Sequence, residues 1–399
     1  MTLNSIQEAI TDFKTGKPIV IIDDEGRENE GDIVASAALA VPETLNFMIH
    51  KAGGLICAPM PKDYAERLHL PLMTDHNEES HSTAFTISVD AKNGITTGIS
   101  AFDRAKTANI LADNASTAAD LARPGHLFPL VAKEGGVLRR AGHTEAAVDL
   151  CNLSGLPPVA LICEVIKEDG EMARADYLAE FSSREGLKII SVKDLINYRY
   201  QHEKFIEKVV EVDLPLPQGK FKCIGYNDTI SKKPYLAITI GELNETPTLV
   251  RVHSSCMTGD IFHSLRCDCG EQLDQAFNMI AKEGKGVLLY IDQEGRGIGI
   301  MNKLKAYALQ DQGVDTVDAN IMLGFAPDLR EYGIGAQVLS DLGIKKLRLM
   351  TNNPKKIVGL SGYGLEVVEV VPIITKPNEH NKKYLDTKRT RMGHYLGEQ

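Results

Sequence analysis

Three cysteines with the spacing of metal ligands lie close together in the second half of the chain. They are Cys256, Cys267 and Cys269, in the pattern C-x10-C-x-C. A zinc ion bound by three protein ligands keeps a fourth position for water, whereas a structural zinc site is closed by four. Buried cysteines can also pack as small apolar side chains, but Arg266 and Asp268 alternate with the last two thiols and disfavour plain burial. The spacing therefore predicts a zinc ion that can activate water.

A dense acidic segment in the first half is a second candidate site. Residues 23–32 carry six carboxylates and two glycines, directly after an apolar run and directly before another that begins at Ile33. Such a segment is often only a solvated acidic turn. Here it lies at the tips of two predicted strands, and Mg²⁺ takes carboxylate oxygens while keeping several waters. The pattern therefore favours a site for a divalent cation.

Residues 139–145 combine groups that bind phosphate and metal. Arg140 offers a fork of donors, while Gly142 and Thr144 offer backbone N–H groups and a hydroxyl at the predicted start of a helix. His143 beside them can ligate a metal, although a lone histidine is more often structural. Glu164 ends a predicted apolar strand, where a carboxylate needs a partner or a function. These groups are therefore candidates for a phosphate and metal site.

The surroundings of the cysteines contain the parts of a nucleotide site. Residues 251–255 are the polar end of a predicted strand that leads into Cys256. Residues 292–299 follow an apolar strand and precede a helix; their three glycines let backbone N–H groups approach an anion, and Arg296 supplies further donors. The loop is not a Walker A sequence, since no Gly-Lys-Ser/Thr follows, and a glycine-rich loop alone is weak evidence.

Apolar runs alternate with helical patterns in both halves of the chain. Strands are predicted at residues 18–23, 32–38, 54–58, 85–89, 159–165, 236–240, 249–253, 287–291 and 347–350. Helices are predicted at residues 1–15, 42–52 and 192–208, and helical stripes within 273–280 and 300–308. The predicted fold class is α+β, with two α/β-mixed domains in series.

At 399 residues the chain is longer than a single hydrophobic core usually supports, so two domains are expected. Residues 213–219 contain two prolines and a glycine, which interrupt regular secondary structure. The domain boundary is expected between the charged helix predicted at residues 192–208 and this segment. The domains are taken as residues 1–200 and 201–399, joined by a short connector. No repeat of fixed period is found, so the halves are expected to have different functions.

Composition excludes several classes of protein. The formal net charge of −10 opposes a duplex nucleic-acid partner, which requires a basic face. No segment approaches the roughly 20 apolar residues that span a bilayer, and the amphipathic, partly acidic N-terminus is not a signal sequence. Seven cysteines scattered over both halves argue against a disulfide framework. We therefore expect a cytoplasmic protein with no membrane or nucleic-acid partner.

Five motifs follow one another between about Val209 and Pro372. They are R-V-H-S-x-C-x-T-G-D, S-L-R-C-D-C-G, D-Q-E-G-R-G-I-G-x-M-N-K-L-K-A-Y-A-L-Q-D, D-L-R-x-Y-G-I-G-A-Q and T-N-N-P-K-K. In order and spacing they resemble GTP cyclohydrolase II. The resemblance implies hydrolysis of GTP to 2,5-diamino-6-ribosylamino-4(3H)-pyrimidinone 5′-phosphate, formate and pyrophosphate for riboflavin synthesis. It also implies that the three cysteines hold Zn²⁺, whose water attacks the imidazole carbon of guanine.

The same resemblance assigns roles to individual residues. It implies that Asp328 is the proton acceptor and that Arg330 attacks the α-phosphorus, although a guanidinium stays protonated and Arg330 can instead stabilise the departing pyrophosphate. Tyr307 is a candidate for orienting the base, with a packed helix tyrosine as the alternative. GTP is expected to carry Mg²⁺. The implied GTP contacts are Arg251, Val252, His253, Ser254, Ser255, Gln272, Glu294, Gly295, Arg296, Thr316, Thr351 and Lys356.

One position departs from the cyclohydrolase pattern. The family usually has glutamate where this chain has Ser255, so a negative charge is removed and a contact to substrate or its magnesium is lost or mediated by water. We expect GTP hydrolysis to be retained, because the thiols, the arginines and Asp328 all match. The alternative is an active first half with a weakened cyclohydrolase half that acts as a scaffold.

A second set of motifs lies within roughly residues 1–200. They are D-D-E-x-R-E-N-E-G-D, T-G-I-S-A-x-D-R, R-P-G-H-x-F-P-L, R-A-G-H-T-E-A-A-V-D-L and C-E-V. They resemble 3,4-dihydroxy-2-butanone 4-phosphate synthase. The resemblance implies conversion of D-ribulose 5-phosphate to L-3,4-dihydroxy-2-butanone 4-phosphate and formate. Gly26 stands where an acid is common in that family, which leaves the ligands untouched.

The synthase resemblance also implies site residues. Glu28 and His143 would hold Mg²⁺ or Mn²⁺, and His126 and Glu164 match essential positions. Cys57 is a candidate to face the site, with a buried core thiol as the alternative. The implied sugar-phosphate contacts are Arg27, Glu28, Asp32, Arg140, Ala141, Gly142, His143, Thr144 and Glu164.

Three functions of the chain are therefore open. The first is a bifunctional riboflavin-pathway enzyme with two independent sites, and the second is the same chain with one weak half. The third is a zinc-dependent nucleic-acid-binding protein, against which the negative charge, the missing C-x2-C pairs and the absence of tryptophan all argue. The resemblance further implies a homodimer whose other partners are small substrates, ribulose 5-phosphate and GTP.

Overall fold

The chain forms two compact units, Met1–Arg199 and Tyr200–Gln399. The structure, a computed structural model, describes residues 3–24, 27–79, 83–325, 333–353, 365–392 and 395. Within these residues each unit contains one seven-stranded sheet that mixes parallel and antiparallel pairs. The predicted fold class, two mixed α and β domains in series, is confirmed. No helix among the described residues is long and apolar enough to cross a membrane.

The sheet of the first unit brings the two ends of the acidic segment together. Its strands are β1 (Ile19–Ile22), β2 (Gly31–Ser36), β3 (Cys57–Met60), β4 (Val89–Ala91), β5 (Leu121–Val131), β6 (Ala160–Glu164) and β7 (Ile189–Ser191). Their order is β4-β5-β3-β6-β2-β1-β7. Strands β1 and β2 are antiparallel with Ile22 opposite Gly31, so the acidic segment is the loop that joins them. Asp32 of β2 lies opposite Glu164 of β6.

Seven helices of the first unit accompany this sheet in the described residues. They are α1 (Ile6–Lys14), α2 (Pro42–Phe47), α3 (Lys62–Arg67), α4 (Ala101–Ala112), α5 (His143–Leu153), α6 (Ala175–Glu185) and α7 (Val192–His202), the last of which crosses the boundary between the units. Apolar side chains of these strands and of several helices form a core cluster that includes Ile33, Leu161 and Phe181. Helix α5 begins at His143, where the sequence predicts a helix start.

The sheet of the second unit places three candidate segments at one edge. Its strands are β8 (Ile206–Leu216), β9 (Gly219–Asp228), β10 (Pro234–Ile240), β11 (Thr248–Ser254), β12 (Gly286–Ile291), β13 (Lys346–Met350) and β14 (Glu366–Val371). Their order is β14-β13-β11-β12-β10-β9-β8, with β11 parallel to both β12 and β13. Because parallel strands end at the same edge, the residues after β11, β12 and β13 gather there.

The helices of the second unit follow these strands. They are α8 (Cys269–Glu283), α9 (Ile300–Asp311), α10 (Thr316–Met322), α11 (Gly333–Asp341) and α12 (Lys382–Met392). Helix α8 packs its buried Ala276 and Ile280 with Leu249 and Leu288 of the central strands. The predicted strand before the cysteines and the predicted strand–loop–helix order around residues 292–299 are both confirmed.

Several sequence-based boundaries are wrong. Residues 54–58 were predicted as a strand, but β3 covers Cys57–Met60, and the strand predicted at 85–89 is the short β4. Helix α7 ends at His202 rather than near residue 208, since β8 begins at Ile206. Residues 213–219, predicted to follow the domain break, form the end of β8 and the turn of the β8–β9 hairpin. Pro215 is tolerated there because β8 is an edge strand.

Candidate active sites

The three cysteines of the second unit meet in space. Their sulfur atoms lie within 4.8 Å of one another, and those of Cys256 and Cys267 are 3.7 Å apart. Cys256 follows β11 and Cys269 begins α8, so a strand end and a helix start fix the group. Among the described residues no fourth cysteine, histidine or carboxylate belongs to it. Three converging thiols without a fourth ligand fit a zinc ion with one open position.

Asp260 holds the loop that carries the first thiol. Its Oδ2 accepts hydrogen bonds from the backbone N–H of Cys256 at 2.9 Å and from the hydroxyl of Tyr290 at 2.8 Å. Nε2 of His253 lies 3.1 Å from Oδ1 of the same carboxylate. The His253 ring stacks on that of Tyr290 with centroids 5.5 Å apart. Asp260 closes the motif R-V-H-S-x-C-x-T-G-D, but sequence reasoning gave it no role because its partners His253 and Tyr290 are fixed only by the fold.

A cavity of about 1080 Å³, partly open to solvent, lies beside the thiols. Ten of the predicted GTP contacts line it: Arg251, His253, Ser254, Ser255, Gln272, Glu294, Gly295, Arg296, Thr316 and Thr351. Val252 does not, because side chains alternate along a strand and this one is buried in the core. Asp328, Arg330 and Lys356 lie outside the described residues, as does Gly26 of the first unit.

The glycine-rich loop points donors into the cavity. Gly295 and Arg296 both have left-handed backbone conformations, with φ of 62° and 63°. This conformation is strained for arginine and easy for glycine. Nη1 of Arg296 is buried and has no hydrogen-bond partner in the described part of the chain. A strained loop that presents an unsatisfied guanidinium nitrogen suits an anionic ligand such as a phosphate.

Lys303 of α9 links this loop to the thiol group. Its Nζ lies 3.0 Å from the sulfur of Cys256 and 2.8 Å from Oε1 of Glu294. Glu294 in turn accepts a hydrogen bond from the backbone N–H of Met257 at 2.6 Å. Hydrogen bonds from the neighbouring thiols, together with the charge of Lys303, lower the pKa of Cys256. The thiolate form is therefore favoured at Cys256, whereas the pKa values of Cys267 and Cys269 are raised by the neighbouring thiols.

Ser255 and Tyr307 have defined places in this cavity. Oγ of Ser255 accepts a hydrogen bond from the backbone N–H of Gln293 at 3.2 Å, so the serine supports the start of the glycine-rich loop. The Tyr307 hydroxyl lies 3.4 Å from Oγ1 of Thr258. Burial raises the pKa of Tyr307 to about 12. The tyrosine is therefore neutral at physiological pH and lines the cavity rather than packing only in the core.

Further residues that sequence reasoning missed complete the cavity wall. Each is polar, and most come from segments far from the cysteines: Arg266, Gln293, Lys303, Gln310, Asn320, Asn352, Asn353, Tyr384 and Lys388. Asn320, Tyr384 and Lys388 lie outside the cyclohydrolase motifs, and no sequence signal singles them out. The other six lie within those motifs, but no role was assigned to them. Two of them, Tyr384 and Lys388, belong to the C-terminal helix α12.

In the first unit, a carboxylate and imidazole group lies at the base of the acidic loop. Ligand atoms of Asp23, Glu28 and His143 all lie within 4.8 Å of one another. Nδ1 of His143 is 3.7 Å from Oε2 of Glu28 and 3.6 Å from Oδ1 of Asp32. Asp23 was not predicted as a site residue; its carboxylate also accepts hydrogen bonds from the backbone N–H groups of Glu28 and Glu30. Asp23 thereby shapes the loop.

The electrostatics of this group suit a cation. Burial raises the pKa of Asp32 to about 7. Burial alone would lower the pKa of His143, but the charge of Asp32 and a hydrogen bond with Glu28 outweigh it and raise that pKa to about 9. Nε2 of His143 and Oδ1 of Asp32 are buried without a hydrogen-bond partner among the residues that the structure describes. Unsatisfied buried donors and acceptors of this kind fit a divalent metal with its waters.

A second group beside it suits a phosphate. A Cβ added to Gly142 would lie 2.5 Å from Nη1 of Arg140 and 3.0 Å from Nη2 of Arg27, so two guanidinium groups crowd this glycine. Gly142 is the N-cap of α5, whose first residue is the metal-site His143 and whose second is the buried Thr144. Both arginines also form ion pairs, Arg27 with Asp23 and Arg140 with Glu145. Two guanidinium groups beside a helix N-terminus suit an anion. The structure thus places predicted phosphate and metal groups side by side.

The two predicted essential residues, Glu164 and His126, have different surroundings. Glu164 lies opposite Asp32 across β2 and β6, and its Oε2 accepts a hydrogen bond from the backbone N–H of Leu55 at 3.1 Å. His126 instead pairs with Asp90, whose Oδ2 lies 2.7 Å from His126 Nδ1. Within the described residues no hydrogen bond or ion pair joins His126 to the Glu28–His143 group. Cys57 is buried in the core, and burial raises its pKa.

Comparison with known proteins assigns both units. Residues 7–198 match the family model of 3,4-dihydroxy-2-butanone 4-phosphate synthase, and residues 207–372 match that of GTP cyclohydrolase II. The chain is 55% identical over 392 residues to riboflavin biosynthesis protein RibBA of Bacillus cytotoxicus, covering 98% of each chain. It is 54% identical over 393 residues to RibBA of Bacillus subtilis, again covering 98% of each. The chain belongs to the RibBA family.

A solved structure extends this comparison to the fold. RibBX of A. baumannii, described as a two-domain 3,4-dihydroxy-2-butanone 4-phosphate synthase, is 35% identical and superposes with a TM-score of 0.72. The match covers 94% of this chain and 100% of RibBX. RibBA-family membership makes the chain a bifunctional riboflavin biosynthesis enzyme, a lyase in its first domain and a hydrolase in its second. The comparisons give no support to a weakened cyclohydrolase half.

Proposed function

We propose that each reaction of this RibBA-family enzyme takes place at one of the two groups described above. The synthase reaction, from ribulose 5-phosphate to dihydroxybutanone phosphate and formate, is assigned to the Glu28–His143 group. The hydrolysis of GTP is assigned to the thiol group and its cavity. The observation that carries this assignment is that each matched region holds one metal-type cluster beside one anion-binding group. We take the domains as residues 1–200 and 201–399.

In the synthase site, Glu28 and His143 would hold Mg²⁺ or Mn²⁺, with Asp23 as a further carboxylate in reach. Such a cation stabilises negative charge on neighbouring oxygens of the sugar. Arg27 and Arg140, with the N–H groups of Gly142 and Thr144, bind the phosphate and so fix one end of the substrate. Asp32 and Glu164 face each other across the sheet, where they can exchange protons with the sugar hydroxyls. His126, oriented by Asp90, is the remaining acid or base.

In the cyclohydrolase site, Cys256, Cys267 and Cys269 would hold Zn²⁺, which supplies a Lewis acid that activates water for attack on guanine. Arg296 and the N–H groups of the glycine-rich loop bind the phosphates, which GTP brings with Mg²⁺. Arg251, Gln272 and Thr351 line the wall where the base and ribose are expected. Asp328 is expected to accept a proton, and Arg330 to act on the α-phosphate or on the departing pyrophosphate.

Two assays on the purified full-length chain test the assignment. With Mg²⁺ and ribulose 5-phosphate, formate and the butanone phosphate are expected in equal amounts. With zinc-loaded protein, Mg²⁺ and GTP, formate and pyrophosphate are expected in equal amounts. Zinc analysis of the same sample is expected to give one ion per chain. Absence of either product set from protein that holds its metal would refute the assignment of that half.

The assembly and compartment also belong to the proposal. We infer a homodimer in the cytoplasm, with GTP and ribulose 5-phosphate as partners and without a nucleic acid or membrane. All seven cysteines are free, as a reducing compartment favours. Light scattering of the purified chain tests the dimer, which a mass equal to one chain at all concentrations would exclude.

A further inference from the structure

The C-terminal helix α12 supplies part of the nucleotide cavity. The matched cyclohydrolase region ends at residue 372, whereas α12 covers Lys382–Met392. Even so, Tyr384 and Lys388 of this helix line the cavity beside the thiols. The helix is tied to α10 by Arg391, which forms ion pairs with Asp315 and, at 3.0 Å, with Asp318. A wall of the site therefore comes from outside the region that the cyclohydrolase family model matches.

Lys388 forms a buried ion pair next to the metal ligands. Its Nζ lies 2.6 Å from Oδ1 of Asp268, the residue between Cys267 and Cys269. Lys388 is 8% exposed and Asp268 is 1% exposed. Nζ also lies 4.5 Å from the centre of the Tyr384 ring. A buried ion pair is costly to assemble, and removal of one partner leaves an uncompensated buried charge. Such a pair beside a catalytic metal indicates a functional constraint.

The ion pair is the start of a chain of hydrogen bonds that ends in the cavity wall. Oδ2 of Asp268 accepts from Nε2 of Gln272 at 2.6 Å, and Oε1 of Gln272 accepts from Nη2 of Arg251 at 2.5 Å. Nη1 of Arg251 donates to the carbonyl of Met350 at 3.0 Å. Gln272 and Arg251 are also buried. The orientation of both cavity-lining side chains therefore depends on the position of Asp268.

We propose that Lys388 is a positioning residue for GTP binding, acting through Asp268 and Gln272 on Arg251. This inference rests on the proposed cyclohydrolase function. Lys303 lies against the sulfur of Cys256, whereas Lys388 balances the charge of Asp268 from the side of α12. Because Lys388 fixes the carboxylate of Asp268, the second oxygen of that carboxylate holds Gln272, and Gln272 presents Arg251 to the nucleotide. At Asp268, charge balance and orientation thus come from one side chain that is remote in sequence.

The test compares Lys388→Met with Arg389→Met in the full-length, zinc-loaded enzyme. Arg389 is the next residue, carries the same charge, is largely exposed and pairs with Asp386 of its own helix. Lys388→Met is expected to raise the KM for GTP about tenfold or more, with a smaller fall in kcat, because the displaced groups bind nucleotide. Zinc content and the synthase reaction are expected to stay unchanged. Arg389→Met is expected to behave like the unmodified chain.

A second pair of variants tests the route through Asp268. In an Asp268→Asn background, the added Lys388→Met change is expected to alter the KM by less than about twofold, because the partner on which it acts is already changed. Lys388→Arg, which keeps the charge, is expected to recover part of the affinity. These variants also separate positioning from folding, since a loss of folded enzyme lowers kcat without raising KM.

Four outcomes would overturn the proposal. They are a KM in Lys388→Met equal to that of Arg389→Met, a fall in kcat alone, a loss of zinc together with activity, or an undiminished effect in the Asp268→Asn background. If the unmodified, zinc-loaded chain does not hydrolyse GTP, the proposed function itself fails. That result is distinguishable, because it is seen before any variant is compared.

Discussion

Cys267 illustrates how a single side chain separates the two activities. Its sulfur lies 3.7 Å from that of Cys256, and a serine oxygen in its place is a poorer zinc ligand than a thiolate. We predict that Cys267→Ser loses bound zinc and lowers the rate of formate release from GTP at least about 100-fold. Metal analysis and a formate assay measure both. Stoichiometric zinc with full GTP hydrolysis in this variant would exclude the thiol group as the site.

In the first unit, Asp90 is a side chain whose substitution is expected to affect only the synthase reaction. It fixes His126 twice, through the ring nitrogen Nδ1 at 2.7 Å and through the backbone N–H at 2.9 Å. We predict that Asp90→Asn lowers kcat for ribulose 5-phosphate at least about tenfold, because the amide no longer holds the imidazole in one tautomer and orientation. GTP hydrolysis by the same sample is the control. An unchanged synthase kcat would show that His126 needs no orienting partner.

At the scale of elements, the start of α5 carries a prediction about the phosphate. Gly142 has an ordinary extended backbone, φ −119° and ψ 164°, which alanine also adopts. Its added Cβ would lie 2.5 Å from Nη1 of Arg140, so the effect of Gly142→Ala falls on the guanidinium groups. We predict that the KM for ribulose 5-phosphate rises about tenfold or more, as expected when one charge-assisted hydrogen bond is lost. The KM for GTP in the same protein is expected to stay constant; a change in both would indicate general unfolding.

The glycine-rich loop before α9 stores strain at the cavity. Arg296 has φ of 63°, and so does not sit in the backbone region that L-residues prefer. We predict that Arg296→Gly stabilises the second unit by about 0.5 to 1 kcal/mol while GTP hydrolysis is lost, because the strain is relieved but the phosphate donor is removed. Unfolding by urea and the formate assay measure the two effects.

A matched control for this prediction lies in the same unit. Lys232 is exposed and has φ of 58° in the turn before β10, away from the cavity lining. Lys232→Gly is expected to give a similar stabilisation with normal GTP hydrolysis. If Lys232→Gly also abolished hydrolysis, loop flexibility rather than the Arg296 side chain would be responsible.

At the scale of the whole molecule, the two units are predicted to work independently. Each holds its own sheet, core and metal-type cluster. We expect Glu28→Gln to abolish the synthase reaction and to leave kcat and KM for GTP within about twofold, since changes at sites that share no partners are usually additive. Cys267→Ser is expected to show the converse. A loss of both activities in either single variant would demonstrate coupling between the units.

The sequence by itself determined the fold class and both activities, and it named the candidate site residues. Residues 23–32, 139–145 and 251–269 are short segments in which ligands and anion-binding groups are neighbours along the chain, so residue type and spacing reveal them. Boundaries were less reliable. The edge strand β8 contains Pro215, a residue type that also marks linkers, and short strands such as β4 offer too few residues for a pattern.

Only the tertiary structure decided which remote side chains support these segments. Asp90 reaches His126 from another strand, Lys303 reaches Cys256 from α9, and Lys388 reaches Asp268 from α12. A lysine or aspartate has no distinctive spacing, so its partner is fixed only when strands and helices pack. Candidate ligand residues can be recognised from short segments of the sequence. Their orientation and charge balance, by contrast, arise from contacts between segments that are far apart in sequence.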